Sequence, residues 1–177
     1  MIAETIRQAL QALFPEPAVV AEKTPPATEA GEGEETAPAE DTPRPNNVIE
    51  RDYHIHGYHV DAQVAVDQLL EAVTILDAHD FFIEAITGVD WIKTGEMEVI
   101  YDFSRYDFDL CRVVIRTRVP RDEPLVPTIT GIYAGANWHE RETHEFFGIV
   151  FNGHPHLIPL LLPEDADFHP LRKDYKP

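Results

Sequence analysis

The sequence predicts an α+β fold in which an antiparallel or mixed sheet carries helices on one face. Residues 96–104 and 108–119 alternate apolar and polar positions as strands do, whereas residues 2–14 and 62–79 repeat apolar positions at helical spacing. The 177 residues are 44% hydrophobic and 26% charged, which is enough for one domain with a buried core. The pattern divides the chain into four regions: residues 1–14, 15–47, 48–150 and 151–177.

The first region, residues 1–14, is predicted to be a short amphipathic helix. Its apolar positions recur at helical spacing at Ile2, Ile6, Ala9, Leu10 and Leu13. A helix of this length is marginally stable alone. We therefore expect its apolar stripe to pack either on the rest of the chain or on another protein.

The second region, residues 15–47, is predicted to be a flexible acidic linker. It is rich in Pro, Ala, Glu and Thr, has no aromatic residue and carries eight acidic residues. Such a composition buries too little apolar surface to offset the entropy of ordering the segment.

The third region, residues 48–150, is predicted to be the α+β domain. Residues 53–60 resemble a strand on either side of Gly57, and Asp61 is expected to cap a helix that continues to His79. Residues 96–104 and 108–119 are expected to pair as an antiparallel hairpin. This hairpin directs Leu110, with Val113 or Val114, inward and sends three arginines outward, namely Arg112, Arg116 and Arg118.

A second helix is expected to follow the hairpin, with Thr128 or Thr130 as its cap. It includes Trp138-His139-Glu140-Arg141-Glu142-Thr143-His144-Glu145-Phe146-Phe147 and ends at Gly148 as a C′ glycine. In this helix we expect Arg141 to pair with glutamates and the aromatic residues to hold the helix on the core. The fourth region, residues 151–177, is rich in proline and is predicted to be an extended tail that gains its order on a partner.

Charge and cysteine content exclude several classes of protein. The chain has 14 Lys and Arg against 32 Asp and Glu, a net charge of −18, which disfavours binding to nucleic acids and anionic membranes. A single cysteine, Cys111, excludes an internal disulfide and cysteine-based metal sites. The N-terminus lacks the features of a secretory signal, so the cytoplasm is the expected compartment.

The histidines and glutamates of residues 138–148 raise the possibility of a zinc site. A zincin helix needs two histidines four residues apart, but His139 and His144 are five apart and their rings point about 140° from each other. His54 and His56 would share one face of a strand, although no third ligand accompanies them. A salt-bridged helical face is favoured over acid–base catalysis for Glu140, Glu142 and Glu145.

Five sequence blocks near the C-terminus occur in the order of one known family. They are Glu140-Arg141-Glu142, Phe147-Gly148-Ile149, Phe151-Asn152-Gly153-His154-Pro155, Pro163-Glu164-Asp165 and His169-Pro170-Leu171-Arg172-Lys173-Asp174. This pattern resembles the thirty-kilodalton subunit of the complex I family, the C subunit of NADH-quinone oxidoreductases. Residues 87–91, Thr-Gly-Val-Asp-Trp, resemble the short turn that precedes the hairpin in that family.

The resemblance implies a subunit that has no cofactor of its own. Such a subunit lies in the peripheral arm of a membrane-bound oxidoreductase, on the cytoplasmic side of the membrane. The implied partners are a large hydrogenase-like subunit that forms the quinone site or holds a nickel–iron centre, and a small iron–sulfur subunit; any flavin also belongs to partner subunits. The sequences of residues 138–148 and 159–165 resemble the hydrogenase branch of the family more than the others. They favour an energy-converting [NiFe] hydrogenase over an NADH-quinone or F420H2 dehydrogenase.

The resemblance and the charge pattern together assign a set of partner-binding residues. They are Glu140, Arg141, Glu142, Glu145, His154, Pro155, Asp165, His169, Pro170, Leu171, Arg172, Lys173 and Asp174. The alternative is a stand-alone metal-dependent hydrolase that uses His139, His144 and the neighbouring glutamates. A free-standing acidic binding module is a further alternative.

Overall fold

The computed structural model describes residues 2–14, 45–107 and 110–176. These residues form four α-helices and seven β-strands in an α+β arrangement, which confirms the predicted fold class. The elements in chain order are α1 (Ile2–Gln11), β1 (Asn47–Glu50), α2 (Tyr53–His56), β2 (Val60–Val64), α3 (Leu69–Asp77), β3 (Phe82–Trp91), β4 (Glu96–Tyr106), β5 (Leu110–Pro120), β6 (Leu125–Pro127), α4 (Ala136–Phe147) and β7 (Val150–Asn152).

The main sheet has five strands in the order β1-β2-β5-β4-β3. Strands β3, β4 and β5 form an antiparallel meander, and β1 also pairs antiparallel with β2. Within this sheet only the β2–β5 pair is parallel, with Val60 opposite Val113 and Val64 opposite Thr117. The sheet is therefore mixed, and the predicted hairpin is its central antiparallel pair.

One face of the sheet forms the core. Because strand residues alternate between faces, the apolar positions of β4 and β5 line up in register, as in the pairs Phe103–Val113 and Tyr101–Ile115. These side chains are fully buried. Helices α1 and α3 cover this face with the buried side chains Ile6, Leu10, Leu69, Ala72, Val73 and Leu76.

Helix α1 packs on this domain, which decides between the two partners that the sequence left open. Ile6 and Leu10 have no exposed surface. The Gln68 side-chain amide also donates a hydrogen bond to the Leu13 carbonyl at 2.8 Å. Of the linker predicted for residues 15–47, residues 15–44 lie outside the described residues. Its predicted end is corrected, because Asn47 already belongs to β1 and pairs with Gln63 of β2.

The three arginines of β5 point away from the core, as predicted, and each is paired with an acidic side chain. Arg112 binds Glu84 at 2.6 Å, Arg116 binds Asp61 at 3.0 Å and Arg118 binds Glu98 at 3.2 Å. The prediction for Leu110 was wrong, since this side chain is 41% exposed at the start of β5.

Asp61 does not cap a helix, contrary to the prediction. It lies inside β2, where its carboxylate is fully buried beside Arg116. The helix begins eight residues later at Leu69, after a single 3₁₀ turn at Val66–Gln68. Residues 60–64 extend because pairing with both β1 and β5 satisfies their backbone groups.

Three further local predictions are corrected. Tyr53–His56 form a short helix rather than a strand, capped by Asp52 and closed by Gly57, so His54 and His56 do not share a strand face. Residues 87–91 belong to β3, and the turn to β4 spans residues 92–95. Neither Thr128 nor Thr130 caps α4, whose N-cap position is Gly135.

Among the described residues, no helix combines the length and the apolar character needed to cross a membrane.

A candidate docking surface on helix α4 and the C-terminal strap

Helix α4 lies against β3 and positions most of the predicted site residues. The Thr143 hydroxyl donates to the Ile86 carbonyl at 3.2 Å. The Phe147 ring packs directly on Gly88, where an added Cβ would lie 2.5 Å from the ring. Only glycine allows this close approach, which fixes the C-terminal half of α4 against the sheet.

Glu140 points from α4 into the protein and holds the loop that precedes the helix. Its side chain has no exposed surface. One carboxylate oxygen accepts a hydrogen bond from the Ile129 backbone N–H at 2.8 Å, and the other accepts one from the Thr128 hydroxyl. Thr128 thus donates to Glu140 instead of capping the helix.

The buried environment changes the ionisation of Glu140 and of His154. Burial raises the pKa of Glu140 to about 7, although the hydrogen bonds from Thr128 and Ile129 oppose this change. The imidazole of His154 is also buried, with its Nε2 4.0 Å from the Glu140 carboxylate and 3.3 Å from the Asn137 carbonyl. Burial lowers the pKa of His154, so the two side chains form a buried pair that resists charging.

Glu145 points away from this pair and holds the segment we call the C-terminal strap, residues 154–176. Its carboxylate accepts hydrogen bonds from three successive backbone N–H groups, those of Leu160, Leu161 and Leu162, at 2.8 to 3.0 Å. Glu145 is only 4% exposed. A single carboxylate therefore anchors one end of the strap.

Arg141 holds the same part of the strap from the other side. Its guanidinium donates to the backbone carbonyls of Ile158 and Pro159 at 3.0 and 2.9 Å. It also lies over the Trp138 ring, 5.3 Å from the ring centroid. The predicted pairing of Arg141 with glutamates is thus replaced by backbone contacts, and Trp138, which is 59% exposed, does not anchor the helix to the core.

The C-terminal end of α4 anchors the second half of the strap. The His169 ring donates to the Glu145 carbonyl at 2.8 Å, and Arg172 donates to the Phe147 carbonyl at 2.6 Å. Both side chains close over Gly148, which has a φ of +74° and would clash with them if it carried a Cβ. A cationic side chain at this position also complements the negative end of the helix dipole.

A cluster of charged groups fixes the last residues of the strap to the sheet. Asp90 binds Arg121 through both oxygens at 2.8 and 3.0 Å and accepts the Lys173 backbone N–H at 2.8 Å. Arg121 extends to Asp174 at 2.6 Å. Burial alone would raise the pKa of Asp90, but the hydrogen bonds from Arg121 and Lys173 outweigh it and lower the pKa below its usual value.

The strap and α4 expose apolar side chains in spite of these backbone anchors. Leu161 is 65% exposed and Leu171 is 53% exposed. The other exposed apolar residues of this part of the chain are Trp138, Val150, Ile158, Phe168 and Tyr175. Large apolar side chains are unfavourable in water, so their concentration in one part of a chain marks a candidate interaction surface.

The predicted site residues fall into three groups that differ in exposure. Glu140, Glu145 and the His154 side chain are buried and bonded within the chain, whereas Arg141, His169, Pro170 and Arg172 are partly buried between α4 and the strap. The exposed members are Glu142, Pro155, Asp165, Leu171, Lys173 and Asp174. The structure thus brings most of the set together on α4 and the strap, but only the exposed members are accessible to a partner.

The helix does not bring the residues of the metal-site alternative together. Glu140 turns to the loop at Thr128, Glu145 turns to the strap, and His144 Nδ1 bonds the Ile149 carbonyl at 2.8 Å. In the part of the chain that the structure describes, no group of three or more His, Cys, Asp or Glu side chains has a metal-binding arrangement.

Sequence reasoning missed the roles of Asp90 and Arg121, and it assigned Thr128 to a helix cap instead of to Glu140. Asp90 lies within residues 87–91, which the family resemblance included, but no role was predicted for its side chain. Arg121 stands 53 residues before Asp174 and 31 residues after Asp90, and no local pattern links positions so far apart.

Comparison with known proteins identifies the family of this chain. Residues 62–177 match the family described as "Respiratory-chain NADH dehydrogenase, 30 Kd subunit". The C subunit of the F(420)H(2) dehydrogenase of Methanosarcina mazei is 42% identical over 93 residues, covering 52% of this chain and 58% of that protein. The C subunit of the NADH-quinone oxidoreductase of Roseiflexus sp. is 44% identical over 94 residues, covering 52% and 53%. The chain therefore spans little more than half the length of these relatives.

Two solved structures share the fold. A chain in the structure of the membrane-bound sulfane sulfur reductase, an archaeal respiratory membrane complex, aligns with a TM-score of 0.60 and 30% identity, covering 66% of this chain and 71% of that chain. The trypsin-resistant fragment (1-134) of Nqo5 aligns with a TM-score of 0.51 and 30% identity, covering 55% and 82%. These matches confirm the resemblance that the five sequence blocks predicted.

Proposed function

The chain belongs to the family of the 30-kDa subunit of respiratory-chain NADH dehydrogenase, and we propose that it is a non-catalytic assembly subunit of a complex-I-like membrane oxidoreductase. In this proposal it lies in the peripheral arm on the cytoplasmic side of the membrane. Its partners are the large hydrogenase-like subunit and the small iron–sulfur subunit. The names of its relatives, which are subunits of oxidoreductase complexes, support this assignment.

One observation carries the proposal. The part of the chain that matches the family ends in a strap whose backbone is bonded to α4 and whose apolar side chains are exposed. A segment that served only the fold of its own chain would bury Leu161 and Leu171 rather than their backbone groups. The arrangement suits a surface that is covered by another protein of the complex.

The test replaces the exposed leucines in the assembled complex. The double variant Leu161→Glu and Leu171→Glu places charges on the proposed surface without touching the bonds from α4. The matched control is Ile55→Glu, since Ile55, at 75%, is the most exposed apolar residue outside this surface among those that the structure describes. We expect the double variant to be lost when the membrane complex is purified and the control to remain. Retention of the double variant at wild-type stoichiometry would contradict the proposal.

The finer assignment concerns the kind of complex. The sequence favoured an energy-converting [NiFe] hydrogenase, whereas the relatives are named as F420H2 and NADH-quinone dehydrogenase subunits. These names support the C subunit of a dehydrogenase as the second candidate. Hydrogen-dependent reduction of a viologen dye by the purified complex would support the hydrogenase, and its absence from a complex that oxidises NADH or F420H2 would support the dehydrogenase.

The proposal assigns redox cofactors to the partner subunits. Iron–sulfur clusters, together with any nickel–iron centre or flavin, are expected in the other subunits of the complex. Elemental analysis and absorption spectra of the isolated full chain test this point. Stoichiometric iron, nickel or flavin in the isolated chain would contradict it.

A further inference from the structure

We infer that Glu145 is a positioning residue that forms the docking surface before any partner binds. The strap is folded in the free subunit and presents an apolar and acidic surface that fits an apolar recess bordered by basic side chains on the partner. This inference deepens the proposed function and rests on it for the identity of the partner as a member of the same complex. It also replaces the expectation that the tail gains its order on a partner.

Glu145 satisfies the backbone of the strap where no secondary structure does so. Residues 160–162 lie between Pro159 and Pro163 and belong to no helix or strand. Their three N–H groups therefore have no ladder partner, and they converge on the Glu145 carboxylate at 2.8 to 3.0 Å. Successive N–H groups of this kind form an anion-binding concavity, and charge-assisted hydrogen bonds are about twice as strong as neutral ones.

The anchors on α4 also determine the direction in which the strap faces. Glu145 accepts from the N–H groups of residues 160–162, and Arg141 donates to the carbonyls of Ile158 and Pro159. The polar edge of this backbone consequently turns toward α4. The side chains of Ile158 and Leu161 are left 41% and 65% exposed. These are the side chains that a partner meets.

The strap is held at a second, separate place near its end. Beyond residue 168, His169 and Arg172 bond the last carbonyls of α4, and the Lys173 N–H bonds Asp90. The intervening residues 163–168 expose three acidic side chains, and Leu161 and Phe168, at 65% and 38% exposed, flank them. The three acids are Glu164, Asp165 and Asp167. A partner that covers this arc must offer an apolar recess and basic groups beside it.

Folding the strap in advance has a consequence for association. A segment that orders only on binding loses affinity to its own ordering entropy, whereas a preformed segment does not. Loosening the strap without changing its exposed side chains should therefore weaken docking.

Hydrogen exchange of the isolated full chain tests the preformed strap without any partner. We expect the amides of residues 160–162 to be protected in the wild-type chain and to exchange about tenfold faster or more in Glu145→Gln. Glu142→Gln, an exposed change on the same helix, is the control and should leave these amides unchanged. Arg141→Ala supplies a second variant that loosens the same segment without altering a buried carboxylate. Exchange at the rate of an unfolded peptide in the wild-type chain would overturn the inference, whatever the outcome of the co-purification test.

A charge variant tests the chemistry of the partner surface. The triple change Glu164→Gln, Asp165→Asn and Asp167→Asn leaves every anchor of the strap in place. We expect unchanged amide protection in the free chain, but loss of the subunit from the complex at a lower salt concentration than the wild type requires. Retention at the same salt concentration would overturn the basic character of the partner surface.

Discussion

Two glutamates of helix α4, five residues apart, serve opposite sides of the protein. Glu140 and Glu145 are both almost completely buried, at 0% and 4% exposed, and both accept hydrogen bonds from backbone N–H groups. Glu140 holds a loop inside the core, whereas Glu145 holds the strap at the surface. Residues five apart on a helix point about 140° from each other, as His139 and His144 also do, and this angle allows one helix to organise both sides.

The difference shows how similar burial leads to different consequences. If Glu140 is lost, the buried Ile129 N–H loses its acceptor, and the Thr128 hydroxyl keeps only its contacts with Thr130. If Glu145 is lost, the strap can open and its N–H groups can bond to water. Glu140 therefore contributes to global stability, and Glu145 contributes to the order of a surface that can unfold locally.

The largest expected effect separates the two glutamates directly. Glu140→Ala leaves the Ile129 N–H and the Thr128 hydroxyl without their acceptor, and we expect a loss of about 3 kcal/mol in the free energy of unfolding. Glu145→Ala should cost about 1 kcal/mol or less, because the strap opens before the core unfolds. Chemical denaturation of both variants measures this. Equal losses would show that the strap is part of the core.

The next effect is the pH dependence of stability that Glu140 confers. Its pKa rises from 4.5 in the unfolded chain to about 7 in the fold, so between these values the folded state binds more protons. Stability must fall as pH rises through this window, by up to about 3 kcal/mol.

A neutral variant isolates this contribution. Burial lowers the pKa of His154, which makes stability change with pH in the opposite sense, so total stability is a poor readout. The contribution of His154 is common to the wild type and Glu140→Gln, so it cancels when the free energy of unfolding of one is subtracted from that of the other. We expect the wild type to lose stability relative to the variant as pH rises from about 4.5 to about 7. A constant difference would contradict the raised pKa.

Gly148 gives a smaller effect and has a matched control. Gly148→Ala combines the strain of a φ of +74° with a clash against His169 and Arg172, and we expect a loss of about 2 kcal/mol together with faster exchange in residues 169–174. Gly57→Ala has a φ of +77° but no atom within 4 Å of the added Cβ, so it measures strain alone, about 1 kcal/mol. Thermal unfolding of both variants compares them, and equal shifts would show that the strap does not pack on Gly148.

The smallest effect is expected at the end of the strap. Asp174 lies 2.6 Å from Arg121, but its side chain is 53% exposed. Asp174→Asn should lower the free energy of unfolding by less than Glu145→Ala does, because solvent screens the exposed carboxylate and Arg121 keeps its paired contact with Asp90. A larger loss in chemical denaturation would mean that this ion pair does more than fasten the strap.

The fold could be predicted where the periodicity was local and long. Strands β4 and β5 have eleven residues each, and their alternation identified both the hairpin and its core face. Within residues 60–64, Val60 was assigned to a strand, Asp61 to a helix cap and residues 62–64 to the helix, because residues 62–64 run into the helical pattern of α3. Their strand conformation depends on pairing with Val113–Thr117, some fifty residues away, which no local pattern reveals.

The candidate site was located by the motif blocks but not explained by them. The blocks identified Glu140 and residues 169–174, and the charge pattern added Glu145 to the same group. The roles follow from contacts 11 to 25 residues apart, such as Glu140 with Ile129 and Arg172 with Phe147. Charge spacing on an isolated helix indicated pairing between Arg141 and Glu145, because the competing carbonyls and N–H groups of the strap are absent from a helical wheel.

The most direct test of docking through α4 and the strap is the accessibility of the strap in the assembled complex. The native cysteine, Cys111, is buried, so Leu161→Cys can be labelled by a maleimide with little background. Ile55→Cys, at a position 75% exposed and outside the surface, is the control. We expect Leu161→Cys to react in the free subunit but not in the complex, while Ile55→Cys reacts in both. Equal labelling of Leu161→Cys in the two states would contradict docking through α4 and the strap.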